Sequence, residues 1–225
     1  MPETTADLAA YAAQLPEPAE LRRRLERLAL LDAVLGDGQY PRYTFDAAWS
    51  DGVAVGTFDD GAGDDYHAVF AGEHVLVRVF DHESTMSRYD EGKTWPGLLD
   101  GLPGELEAYL LDERLNPEPG FAVVTLALWR GPGDTAWRHG RLEPHDGRAP
   151  EITSWPLDLV EEWVLDDVYA SLSHDHGGVR IDDDAFDAVV EDRPLTAQMV
   201  RDLNPEADLE RARAAALRIG RPLAG

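Results

Sequence analysis

The spacing of apolar residues changes twice along this chain, and those changes limit the fold more than any other feature. Up to residue 36 apolar positions recur every three or four: Leu8, Tyr11, Ala12 and Leu15, then Leu21, Leu25, Leu28, Leu31 and Leu35. That spacing lines one face of a helix. Pro16 and Pro18 separate two such helices, because proline lacks the donor a helix interior needs, and Gly36 supplies a stop. From Tyr40 the spacing becomes two. Tyr43, Phe45, Ala47 and Trp49 alternate with polar or small residues, Ser50-Asp51-Gly52 signals a turn, and Val53, Val55 and Thr57 resume the alternation. Tyr66 to Phe70 and His74 to Phe80 flank the short turn Ala71-Gly72-Glu73, which completes a four-stranded antiparallel meander. A fifth strand, Phe121 to Trp129, is almost wholly apolar and reads as buried on both faces, and a helix over 104–112 lies between.

Residues 130–154 are rich in glycine, proline and charge and read as an irregular connection with one short strand near Trp137. Helical spacing then returns. Ser154 can cap a helix running to Ser173 whose stripe is Leu159, Val160, Trp163, Val164 and Val168; shorter helices follow at 183–190 and 196–203. The last helix is expected to start with Asn204 as cap and Pro205 in its first position, and to end before Gly220. Strands grouped between helices predict an α+β fold: an antiparallel meander sheet of about five strands, with an N-terminal helical hairpin and a C-terminal helical segment packed around it. A chain of 225 residues can be served by one core. The expected organisation is therefore a single domain over 1–225, with helices in 1–36, a sheet core in 40–130 and helices in 154–220.

Charge bears on the partner. The chain has 44 acidic and 20 basic residues, a formal charge of −24, and Lys93 is its one lysine. Phosphate backbones require clustered cationic charge, so nucleic acid is not an expected partner, whereas a basic protein is. The acids are unevenly placed: between Leu157 and Asp192 stand twelve, among them Asp166, Asp167, Asp183, Asp184 and Asp187, against Arg180 alone. Arg22, Arg23, Arg24 and Arg27 form the one dense basic cluster, read as a solvated face that pairs with nearby acid. With no cysteine, disulfides, thiolate metal sites and cysteine nucleophiles are excluded. Met1 to Ala10 has no basic start followed by an apolar run, and no later stretch reaches the roughly 20 apolar residues of a membrane span. A cytoplasmic location with no membrane association is the expectation.

Three constellations could carry chemistry. Asp59-Asp60-Gly61-Ala62-Gly63-Asp64-Asp65 superficially resembles a calcium loop, yet counting twelve from Asp59 or Asp60 reaches Phe70 or Ala71, where a bidentate carboxylate would be needed. A glycine-permitted hairpin loop is the expectation. His174 and His176 flank Asp175 and could contribute to a zinc or iron site, but residues two apart face opposite sides of a helix, so a helix C-terminus without metal is expected and the metal site is the alternative; no cofactor is expected. The third is the long connection after Phe80, which holds His82, Glu83, Ser84, Lys93 and Trp95. It contains an acid, an imidazole, a hydroxyl and an amine from which a catalytic pair could be drawn. His82, Glu83 and Ser84 are adjacent, however, so any pair needs a partner such as His67 or His139. Trp95, Leu98 and Leu99 would pin such a loop over the sheet edge.

The runs GAGDDYHAVF, VFDHESTMSRY and TWPGLLDGLPGELEAYL resemble a set of uncharacterised bacterial proteins that share a glycine-acid-acid-Tyr strand, a His-Glu-Ser loop and a Trp-Pro-Gly stretch, over roughly residues 40–130. The resemblance implies no activity. In composition the chain is also similar to acidic immunity proteins of bacterial toxins. The leading expectation is an intracellular binding protein whose acidic helical face over 157–192, with Trp95, engages a basic partner; the alternative is a small-molecule enzyme with its site in the 81–100 loop.

Overall fold

The structure is a computed structural model that describes residues 5–36, 38–87, 94–116, 123–152, 156, 159–160 and 183–224. The fold is α+β. Its described elements are α1 (Thr5–Ala12), α2 (Pro18–Leu35), β1 (Tyr43–Ser50), β2 (Val53–Asp59), β3 (Asp65–Ala71), β4 (His74–Phe80), α3 (Gly104–Leu110), β5 (Leu126–Arg130), β6 (Arg138–His139), α4 (Asp183–Val190), α5 (Ala197–Leu203) and α6 (Leu209–Ile219). The strands form a six-stranded meander in sequence order. The sixth strand is the two-residue β6, which follows the short segment expected near Trp137. The expected helix over 154–173 lies outside the described residues. No described helix is long and apolar enough to cross a membrane.

The chain divides into two compact units, Met1–Pro18 with Asp59–Pro156, and Ala19–Phe58 with Leu157–Gly225. In the first, the turn at Gly72 sets Ala71 opposite His74, and the register runs unbroken back to Asp65 opposite Phe80. β4 also pairs with β5, from Val75↔Arg130 to Val79↔Leu126. Beyond Leu126 the Thr125 N–H still donates to the Val79 carbonyl at 2.8 Å, and Thr125 Oγ1 accepts the Asp81 N–H at 3.0 Å. β5 begins at Leu126, inside the strand expected from Phe121; residues 121 and 122 lie outside the described residues. Tyr66, Val69, Leu76, Val77, Leu126 and Trp129 are buried, and α3 packs on β4. In the second unit α6 packs on β1.

The expected cap of the last helix is corrected. Asp208 Oδ1 accepts the N–H groups of Glu210 and Arg211 at 3.0 and 3.1 Å, so α6 begins at Leu209. Asn204 instead closes α5, and its Nδ2 donates to the Val34 carbonyl at 2.9 Å. The arginine cluster is engaged within its own unit. Arg22 pairs with Glu26 at 2.9 Å, Arg23 with Glu20 at 2.6 Å and Arg27 with Asp192 at 2.7 Å, while buried Arg24 donates to the Leu159 carbonyl at 3.0 Å.

Candidate functional site

Two loops leave the same end of the β3–β4 hairpin, because the register that pairs Asp65 with Phe80 brings residue 64 beside residues 81 and 82. The first loop is built on Asp60, whose Oδ1 accepts the N–H groups of Ala62, Gly63 and Asp64 at 2.7, 3.0 and 3.0 Å. Asp59 Oδ1 takes the Gly61 N–H at 2.7 Å. Carboxylates that cap their own backbone in this way order a loop and keep their charge. Burial opposes the ionised form of Asp60, but those N–H bonds and nearby His82 outweigh it and hold the carboxyl below its ordinary range.

The second loop is tied just as closely. Buried Asp81 accepts the N–H groups of Glu83 and Ser84 on Oδ1, at 3.0 and 3.1 Å. Ser84 Oγ donates to the Glu151 carbonyl and accepts the Met86 N–H at 3.1 Å, and Ser87 Oγ donates to the His82 and Ser84 carbonyls. Asp64 Oδ1 joins the loops: it accepts the His82 N–H at 2.9 Å and lies 2.7 Å from His82 Nδ1.

Farther along, buried Trp95 donates from Nε1 to the Glu143 carbonyl at 2.7 Å, with the Arg148 guanidinium 5.8 Å from its ring. A ring this buried offers a partner no surface, so its part is to pin the loop. Gly97 has φ +81, and an added Cβ would overlap the Arg141 carbonyl oxygen.

His82 and Glu83 are therefore exposed, while Ser84 is buried and bonded to backbone. Adjacency in sequence has not become a catalytic pair: His82 bonds Asp64 and Ser84 bonds Glu151. In the second unit, α4 carries exposed Asp184 and Asp187, and Asp183 is its first residue. Lys93, Asp166, Asp167, His174 and His176 lie outside the described residues. Among the described residues no three His, Asp or Glu side chains are grouped to hold a metal ion. The Asp64–His82 link escaped sequence reasoning. Register arithmetic would have found it, since a turn that pairs 71 with 74 pairs 64 with 81.

The arrangement is a cluster of fixed negative charge around one titratable cation. Asp64, by its hydrogen bond first and then by charge, together with Glu83 and Asp81, raises the pKa of His82 above the usual imidazole value. Folding thus favours the imidazolium. Its contribution is fully present below the unfolded pKa of about 6.5 and is lost as pH rises through the higher folded pKa. An NMR titration of the His82 ring should give a midpoint above about 6.5, and Asp64→Asn should bring it down. A midpoint that Asp64→Asn leaves in place would mean the pair does not form.

Comparison of the chain with models of protein families, with curated proteins and with solved structures found no match.

Proposed function

We propose that this protein is an acidic binding module that engages a cationic segment of a basic protein, in the manner of an immunity protein. The observation that carries the reading is the pair of loops at the end of β3 and β4. Asp60, Asp64, Asp81 and Glu83 act on one imidazole, and Asp60 is held ionised by three backbone N–H groups. Asp60, Asp64 and Glu83 reach the surface and need little reorganisation to meet an arginine or lysine, while buried Asp81 adds its charge from beneath. Asp60 bonds its own loop and Asp64 bonds His82 across to the second, so the acids are spread over two loops, which suits several cationic side chains along a partner better than a single ion. The overall charge of −24 would speed and orient the encounter at low ionic strength.

The test is a fluorescence titration with a labelled oligo-arginine peptide. Affinity should fall at least about tenfold between ~20 and ~200 mM salt, because exposed charges are screened over roughly 8–10 Å. Replacing the exposed pair, Asp59→Asn with Glu83→Gln, should weaken binding about fivefold at low salt, in keeping with fractions of a kcal/mol per exposed contact. Asp184→Asn with Asp187→Asn reads the α4 acids separately. Binding that responds to neither salt nor these changes would remove the proposal.

A further inference from the structure

We infer that a cleft in the second unit, between α2, β1 and α6, binds a small ring-bearing carboxylic acid that carries a hydrogen-bond donor at the end opposite its carboxylate. The cleft has a volume of about 210 Å³. For comparison, an apolar cavity of about 150 Å³ holds benzene, so a substituted ring fits. Its walls are largely apolar: Ala29 and Ala33 come from α2, Phe45 from β1, and Ala214 and Ile219 from α6.

Two polar features give the ligand its ends. Asp32 lines the cleft and is 2% exposed. Its Oδ2 accepts the N–H groups of Arg42 and Tyr43 at 2.8 and 2.9 Å, and Oδ1 takes part in neither bond. A carboxylate buried to this degree is expected to have its acceptors used. Burial, opposed by those N–H groups and by the Arg42 and Arg211 charges, raises its pKa. A ligand hydroxyl donating to Oδ1 would offset what burial costs the ionised form. The other end is set by α6, where Arg211 and Arg218, seven residues apart, share one helix face and both line the cleft. Arg211 also donates to the Gly36 carbonyl. Arg218 is exposed at the rim, where a planar guanidinium suits a carboxylate. An acid spanning from Arg218 to Asp32 would lay its ring along the alanines.

The experiment is a calorimetric titration of the full chain with 4-hydroxybenzoate, and with benzoate as the analogue lacking the donor. Saturable binding is expected, with benzoate about tenfold weaker. Arg218→Gln should weaken 4-hydroxybenzoate by about tenfold, and Ala33→Phe, which fills the cleft, should abolish binding. Arg218 is an exposed side chain, so its variant reports on binding even where Ala33→Phe perturbs folding. No saturation below ~10 mM, equal affinity for the two acids, or undiminished binding to Arg218→Gln would each overturn the inference.

Discussion

Gly97→Ala is expected to lower the stability of the fold by at least about 4 kcal/mol, a drop in melting temperature of roughly 8 °C or more for a chain of this size. Two costs combine. With φ at +81 an alanine enters the left-handed region, which disfavours a side chain by about 1–2 kcal/mol. The added Cβ then overlaps the Arg141 carbonyl oxygen, so one of two backbone segments must retreat, and neither is the free end of a flexible side chain. Retreat strains the Trp95 bond to Glu143 and the bond from the Glu143 N–H to Pro96. The matched control is Gly133→Ala. Gly133 has φ +80 with nothing near its Cβ position, so it should lose only about 1–2 kcal/mol. Equal losses at the two glycines in thermal unfolding would mean that the close approach carries no weight.

The second large effect concerns Arg78, in the middle of β4 and only 1% exposed. Its Nη2 donates to Asn116 Oδ1 at 2.7 Å and to the Val123 carbonyl at 2.8 Å, while Nε and Nη1 have no partner among the described residues. Burial lowers its pKa, and the nearby Asp65 charge raises it again in part. A guanidinium so placed is costly to keep and more costly to strand. Asn116→Ala removes its side-chain acceptor and also the Asn116 donations to the Leu110 and Asp112 carbonyls. It should cost about 3 kcal/mol or more. Arg78→Met removes the charge and its unpaired donors while keeping much of the volume, and should cost about 1 kcal/mol or less. With methionine at 78, the loss from Asn116→Ala should fall by about half. Urea unfolding of the four proteins closes the cycle; additive losses would show that Asn116 does not serve Arg78.

Much of the fold could be read from spacing alone because each element carries its own signal. α2 and α4 occupy the limits that the leucine spacing and flanking residues predict, and β1 to β4 follow the alternation and the turns. What escaped reading was settled by partners distant in sequence. Asn204-Pro205 looks like a helix start, but Val34 claims the Asn204 side chain and the cap passes to Asp208. Apolar composition does not announce that the Thr125 hydroxyl takes the Asp81 N–H. Composition drew attention to both loops, the first as a glycine-permitted hairpin and the second for its mixed chemistry, but not to their wiring. That His82 bonds Asp64 while Ser84 turns to Glu151 depends on strand register and on a connection more than sixty residues away. The Asp32 cleft left no local trace, since its alanines and arginines belong to two helices separated by most of the chain.

The two-residue β6 bears on how copies of this chain meet. β6 closes the sheet on that side with Arg138 and His139, pairing with β5 only at Leu128 and Trp129. An incoming strand needs a run of free N–H and C=O groups to dock against, and so brief a border headed by a cation offers almost none. At crowded concentrations, stacking of one sheet onto the next through this border is accordingly discouraged by the shortness of the strand itself.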